Sequence, residues 1–193
     1  MKFNIPIILG STRRERQSIK VAKFVLKRVQ QSPLVSSELL DLAQYEFPIM
    51  EERLRFRDDP PRGLREFARK VDEADSIIIV SPEYNHGYPG VLKNALDYLL
   101  PEYERKPVGI VTVSAGRFGG LNCLNQLRIV SLGMGAFPIP AEFAVAKVQE
   151  SFDDQGETKN PAYEGVFREF FEELLWFTEA VVVRKQKDRA RAA

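Results

Sequence analysis

The chain has 193 residues, of which 44% are hydrophobic and 28% charged, and its formal net charge is +1 at pH 7. This fits one globular domain with a sizeable core, and the near-neutral charge argues against nucleic acid or an acidic partner. Its single cysteine, Cys123, excludes an internal disulfide and any CxxC motif. No apolar run could span a bilayer and no secretory leader pattern opens the sequence, so we expect a cytoplasmic protein without membrane insertion.

The first quarter of the chain predicts a strand, a helix and a second strand. Residues 3–11 (FNIPIILGS) form an apolar, strand-like run, and residues 19–30 place their apolar side chains on one helical face. Residues 36–43 (SSELLDLA) predict a shorter strand, which is followed by a loop rich in charge and proline at 47–62. This strand–helix–strand order is typical of a parallel sheet with a helical crossover.

The middle of the chain repeats the alternation. A helix over 63–73 leads into residues 75–82 (DSIIIVSP), whose continuous branched run is typical of a strand buried on both faces. Residues 89–100 predict the next helix, and Pro89 suits its first turn.

The remaining elements complete five strand–helix units. Residues 106–114 predict a fourth strand, and residues 119–133 a helix for which Gly133 suits the C′ position. A fifth strand lies within 140–148, and 163–182 form the last helix. Five such units predict one parallel sheet covered by helices on both faces.

The last ten residues, 184–193, are basic (RKQKDRARAA). We expect them to form a flexible tail after a single domain over 1–183. A solvated end that aids solubility is favoured over attachment to a membrane or to nucleic acid.

Three loops follow predicted strands, where ligands bind in open parallel sheets: 10–18, 82–89 and 114–120. The first has neither a P-loop nor a GxGxxG motif, yet it places arginines before a helix N-terminus, where cations are unfavourable. A bound phosphate would resolve this, because helix N–H groups, arginine and short hydroxyls all bind anions. In the alternative the arginines face solvent, as we expect for Arg14. The polar residues of this loop are Ser11, Thr12, Arg13, Arg14, Arg16, Gln17 and Ser18.

The second loop, SPEYNHGYPG, offers backbone amides and the flat face of Tyr84. It suits a polar heteroaromatic ring, although an ordinary turn explains its residues equally well. His86 lacks a second ligand at metal-binding spacing, so we expect a loop histidine beside the site.

The third loop, VSAGRFGG, is small enough to let its backbone approach a ring edge, and Arg117 either holds an anion or faces solvent. Neither a Ser-His-Asp order nor an HExxH motif is present. A bound cofactor would therefore supply the chemistry. We expect Cys123 to be a small core residue.

GSTRRERQS together with SPEYNHGYPGVLKNALDYL resembles the NADPH-dependent FMN reductase family of flavodoxin-like proteins, which includes quinone, chromate and azo-dye reductases. The resemblance runs from the first strand to about Lys147. It implies a flavodoxin-like three-layer sandwich whose five-stranded parallel sheet has the order 2-1-3-4-5.

The resemblance also implies the cofactor site and assigns no catalytic residue. The FMN phosphate would bind the first loop and the isoalloxazine ring the other two. FMN would accept hydride from NADPH, or from NADH, and pass electrons to a quinone, azo, chromate or similar small acceptor in a ping-pong reaction. The implied cofactor-binding residues are Ser11, Thr12, Arg13, Arg16, Gln17, Ser18, Pro82, Glu83, Tyr84, Asn85, Ser114, Ala115, Gly116 and Arg117.

The resemblance further implies a homodimer or homotetramer built around the PGVLKNALDYL helix. Two other functions remain open from the sequence. One is a flavodoxin-type FMN electron carrier that does not react with nicotinamides, although such carriers are usually strongly acidic. The other is a non-redox protein whose first loop holds a different phosphate compound.

Overall fold

The computed structural model describes residues 2–192, and its centre is a sheet whose strands all pair in parallel. The central order is β4-β2-β5-β6-β7, and β8 pairs with β6 further along the same edge as β7. A short β1–β3 pair extends β2 and β4 at their amino ends. The strands are β1 (Phe3–Asn4), β2 (Ile7–Leu9), β3 (Val35–Ser36), β4 (Leu39–Asp41), β5 (Ile77–Pro82), β6 (Pro107–Val113), β7 (Phe137–Pro138) and β8 (Phe143–Val145).

β1 continues into β2, β3 into β4, and β7 and β8 share one edge of β6, so each of these pairs counts as one strand. The sheet then has five strands in the predicted order 2-1-3-4-5, and the flavodoxin-like fold is confirmed. Prolines account for the interruptions. Pro6, between β1 and β2, has no N–H to donate, and Pro138 ends β7 while Pro140 lies in the gap before β8. Hydrogen bonds bridge these gaps, as from Ile139 N to Val108 O at 3.0 Å.

Helices cover both faces of the sheet and match the predicted helices closely. One difference is that α3 begins after Pro89, which is extended. Another is that Gly133 is the last helical residue of α4, and Gly135 instead has the positive φ of +75°. The helices are α1 (Ser18–Gln30), α2 (Leu64–Asp72), α3 (Gly90–Asp97), α4 (Leu121–Gly133), α5 (Val148–Ser151) and α6 (Ala162–Ala192), with 3-10 turns at Leu42–Gln44, Leu54–Phe56 and Pro101–Tyr103.

Alternate residues of the strands enter two separate cores. In β5, Ile78 and Val80 pack against α1 and α6, whereas Ile77 and Ile79 pack against α2, α3 and α4. All six residues of β5 are buried, as its continuous apolar run predicts. The sheet is thus the middle layer of three.

The last helix is longer than predicted. Residues 184–192 continue α6 instead of leaving the helix, and residue 193 lies outside the described residues. The domain boundary after residue 183 and the mobility of the tail stay predictions. Among residues 2–192, no helix has the length and apolar character needed to cross a membrane.

Close packing between β6 and α6 predicts that Gly109→Ala destabilises the protein. A Cβ at Gly109 would lie 2.6 Å from Cζ of Phe170, which forces the ring to move. We expect a loss of about 1–3 kcal/mol in the free energy of unfolding, measured by urea denaturation.

Gly165→Ala is the matched control, because a Cβ at this α6 position meets nothing within 4 Å. Alanine should there stabilise the helix by about 0.5–1 kcal/mol. Equal effects of the two substitutions would contradict the packing argument.

Candidate functional site

The three predicted loops meet at one cavity of about 300 Å³ at the carboxyl ends of β2, β5 and β6. We call it the site cavity. Most of the predicted cofactor-binding residues line it. Five further residues also line it and were not predicted to bind the cofactor: Arg14, Glu15, Val113, Val148 and Gln149. Its lining is Arg13, Arg14, Glu15, Arg16, Gln17, Ser18, Pro82, Glu83, Tyr84, Val113, Ser114, Ala115, Val148 and Gln149.

Helix α1 begins beside this cavity without the usual capping groups. Gln17 occupies the N-cap position but its side chain caps nothing, and the first turn contains no acidic residue. Ser18, only 1% exposed, has no hydrogen-bond partner for its Oγ within residues 2–192. A buried hydroxyl without a partner is costly, so this helix start is suited to an anionic ligand.

The arginines of the first loop have different environments. Arg16 pairs with Asp41, at the end of β4, and also donates to the backbone O of Ser11, so its guanidinium holds the loop in shape. Arg13 forms no ion pair within residues 2–192, and its guanidinium lies 5.9 Å from the centre of the Tyr84 ring. Arg14 is exposed on the same cavity wall. Arg13 and Arg14 are therefore the cations left to meet an anion.

Tyr84 links the first loop to the second. Its hydroxyl lies 2.9 Å from the Oγ of Ser11, which is fully buried behind the cavity wall. Tyr84 and Gly87 exchange backbone hydrogen bonds of 2.8 and 3.0 Å around Asn85 and His86. Both of these residues have positive φ, at 49° and 65°, as a type I′ hairpin turn requires.

The first turn of α4 holds the side chain of Glu83. Its Oε2 accepts a hydrogen bond of 3.0 Å from the backbone N of Cys123, which satisfies a free donor in the first turn of α4. Gly120 permits this close approach with φ at +88°, because a Cβ there would lie 3.0 Å from Thr112. Cys123 is buried, as predicted, and burial raises the pKa of its thiol to about 11.

Five predicted site residues do not line the site cavity. Ser11 lies behind its wall, Thr12 is exposed, and Asn85 lies at the hairpin tip. The O of Gly116 accepts from Ser114 Oγ and Lys147 N, both at 3.0 Å, and Arg117 stacks on Phe118 at 4.7 Å. Gly116 therefore braces the loop after β8.

This contact explains why Val148 and Gln149, which were not predicted from the sequence, line the site cavity. Val148 N donates to Ser114 O at 3.1 Å, which brings the start of α5 to the cavity. Both Val148 and Gln149 follow the fifth strand, and the topological rule for parallel sheets places that strand's end at the same edge. His86, as predicted, is a loop histidine near the site. It lies outside the lining, and its Nδ1 is 3.0 Å from Asn122 Nδ2.

The chain is similar to proteins of known function. The family model described as NADPH-dependent FMN reductase matches residues 3–150. The chain is 30% identical over 168 residues to an NADPH azoreductase of Bacillus sp. (strain OY1-2), covering 86% of this chain and 90% of the relative. It is 32% identical over 161 residues to a quinone reductase of Escherichia coli (strain K12), covering 80% and 83%.

A solved structure of similar fold is the flavoenzyme NAD(P)H:(acceptor) oxidoreductase FerB from Paracoccus denitrificans. Its TM-score is 0.73 at 20% identity, with 93% of this chain and 97% of that chain covered. At this identity the likeness supports the fold alone.

The hairpin geometry predicts that His86→Gly is more stable than His86→Ala by about 1 kcal/mol. Both substitutions remove the contact with Asn122, but only glycine adopts a positive φ without strain. Urea denaturation of the two variants measures the difference. Equal stabilities would mean that residue 86 does not hold this backbone conformation in solution.

Proposed function

The chain belongs to the NADPH-dependent FMN reductase family, and we propose that it holds FMN in the site cavity with the phosphate at the beginning of α1. It is an FMN-dependent NAD(P)H oxidoreductase. One observation above all supports the phosphate position: the buried, unpartnered Ser18 hydroxyl at the uncapped start of α1, with Arg13 beside it.

The residues present fit a phosphate monoester. Ser18 can donate its hydroxyl, the first N–H groups of α1 are uncapped, and Arg13 can add forked, charged donors. Gln17 has a buried Oε1 without a partner within residues 2–192, but its donor Nε2 bonds the backbone O of Glu15 at 3.0 Å, so a direct contact with the phosphate would require the amide to release Glu15. Arg16 acts indirectly, because its pairing with Asp41 fixes the loop that carries the other donors.

The ring of the cofactor would lie against the second and third loops. Pro82, Glu83 and Tyr84 form one wall and Ser114 and Ala115 another. When bound, FMN supplies the hydride and electron transfer between NAD(P)H and the acceptor.

The protein's own contribution is binding and orientation. The Glu83 carboxylate already accepts a hydrogen bond from α4, and we assign no residue as catalytic acid or base. Asn85, in the turn after Tyr84, and Gly116, which accepts from Lys147 N, support the walls from outside the lining, and cofactor contacts of Arg117 stay a prediction.

We propose small oxidised organic acceptors, quinones and azo compounds among them, because relatives are named for these activities. Chromate stays a prediction. A cytoplasmic location is likewise a proposal, supported by the single, unpaired cysteine.

We also propose a homodimer or homotetramer that uses the surface around α3. There Ile49 is 86% exposed, and an apolar cavity of about 570 Å³ includes Phe47, Met50 and Val91. Apolar exposure of this kind marks protein interfaces.

The phosphate position predicts that Ser18→Ala weakens FMN binding about 10- to 100-fold, since a hydrogen bond to a charged group is lost. The apoprotein should be no less stable, because the substitution removes a hydroxyl without a partner. FMN titration and urea denaturation of the apoprotein measure the two effects. Arg13→Ala should weaken FMN binding by a similar factor.

Ser131→Ala is the matched control. Its Oγ is also buried without a partner within residues 2–192, but it lies on α4 away from the site cavity. It should leave FMN affinity unchanged. If Ser18→Ala and Ser131→Ala bind FMN equally well, the phosphate does not bind at the beginning of α1.

Mixing the FMN-loaded protein anaerobically with NADPH, and separately with NADH, should rapidly bleach the oxidised-flavin absorbance band without any partner protein. The ratio of the two rates gives the preferred donor, and a quinone added afterwards should restore the band. Persistence of the band with FMN bound would instead indicate an electron carrier. Failure to bind FMN would indicate a different phosphate ligand.

A further inference from the structure

The outward face of α6 carries a line of exposed residues spaced three or four apart. This spacing keeps them on one side of a helix, opposite the side that packs on the sheet. We call this line the α6 stripe. It consists of Glu169, Glu172, Trp176, Ala180, Val183, Lys187 and Arg191.

The centre of the α6 stripe consists of apolar side chains, and the exposed Glu179, three residues after Trp176, lies at its edge. Trp176, the only tryptophan of the chain, is 65% exposed, and Val183, two turns further along, is also exposed. Ala180 lies between them and leaves room for a large side chain from another molecule. Trp176 contacts Phe177 only edge to face, at a centroid distance of 5.0 Å. A large aromatic side chain left open in this way is typical of the centre of a protein interface.

Charges of opposite sign flank this centre. Glu169 and Glu172 precede it, and Lys187 and Arg191 follow it. Within the described part of the chain, Glu169, Glu172 and Lys187 form no ion pair, whereas the neighbouring Arg184 pairs with Asp188 at 3.0 Å. The stripe is therefore acidic at one end, apolar in the middle and basic at the other.

We infer that the α6 stripe binds the α6 stripe of a second copy of this chain in an antiparallel arrangement. A two-fold axis near Ala180 would place each acidic end against the partner's basic end and the two apolar centres against each other. Such self-complementarity is what a two-fold symmetric interface requires. Glu172 and Lys187 are about 22 Å apart along the helix, so the charged ends border a contact three to four turns long.

Charge complementarity favours a second copy over an anionic lipid surface. A lipid surface would attract Lys187 and Arg191 but repel Glu169 and Glu172 on the same face. In the antiparallel arrangement, the acidic end and the basic end of the stripe each meet the opposite charge on the second copy. This interface is separate from the site cavity and from α3, so it does not rest on the proposed function.

Sedimentation velocity of the FMN-loaded full chain, over a wide concentration range, tests the interface. The parent should associate reversibly, doubling in mass, and the fluorescence of Trp176 should shift to shorter wavelength as it does so. Charge reversal at the acidic end (E169K/E172K) or at the basic end (K187E/R191E) should each weaken association about tenfold. Trp176→Ala should weaken it by at least about tenfold.

Combining both reversals in one chain restores opposite charges across the interface. This fourfold variant should recover an association constant within about threefold of the parent. The control E46K/D59K makes the same change in net charge as E169K/E172K at exposed acidic residues outside α6 that form no ion pair within residues 2–192, and should associate like the parent. Retained FMN content and reductase activity show that each variant is folded.

Three results would each overturn the interface. The first is a parent whose mass is unaffected by Trp176→Ala and by both end reversals. The second is equal weakening by E46K/D59K, since net charge would then explain the effect. The third is cosedimentation of the parent with anionic vesicles that the basic-end reversal abolishes while the mass of the free protein stays unchanged.

Discussion

The site depends on the parallel register of β2, β5 and β6. Leu9 pairs with Val80, and Pro82 with Val113, so the chain leaves these strands at neighbouring points on one edge of the sheet. All three strands are buried, which fixes this edge against both cores. The sheet therefore brings the loops that follow close together, and contacts between them, such as that of Ser11 Oγ with the Tyr84 hydroxyl, add to this placement. A cavity with one loop wall from each strand is the consequence.

In the first loop, Arg13 and Arg16 have the same side chain but different roles. Arg16 neutralises Asp41 and is bound to the loop backbone, so it stabilises the conformation in which Ser18 and Arg13 face the site cavity. Arg13, without an ion pair of its own within residues 2–192, keeps its charge available for a ligand. Cations at a helix N-terminus are unfavourable in the free protein. The gain on binding a phosphate is correspondingly large, because the ligand removes that repulsion and supplies a partner for the buried hydroxyl.

Periodicity predicted the strands, the helices and the edge at which the site forms, because these follow from local sequence patterns. The continuous apolar run of β5 and the loops after β2, β5 and β6 are examples. Asp41 as the partner of Arg16 could not be predicted, since the two residues meet only when β4 pairs with β2. Likewise, the sequence indicated a turn at Asn85 but not its type, because His86 takes the second central position that glycine usually occupies in a type I′ turn. Val148 and Gln149 could have been found by extending the strand-end rule to the fifth strand.

The helix dipole is a simpler explanation for the charges of α6, but of the four charged residues of the stripe it accounts only for Arg191, in the last turn. Acids near the start of a helix and bases near its end stabilise any helix through its dipole, but this effect is confined to the first and last turns. Glu169 and Glu172 lie two to three turns after Ala162, where the dipole no longer accounts for them. Nor does the dipole explain why Trp176 is exposed between the charged ends. Both features follow from one requirement, that this face of α6 fits a copy of itself. The same reasoning applies at α1, where charge that the fold leaves unmatched indicates what the protein binds.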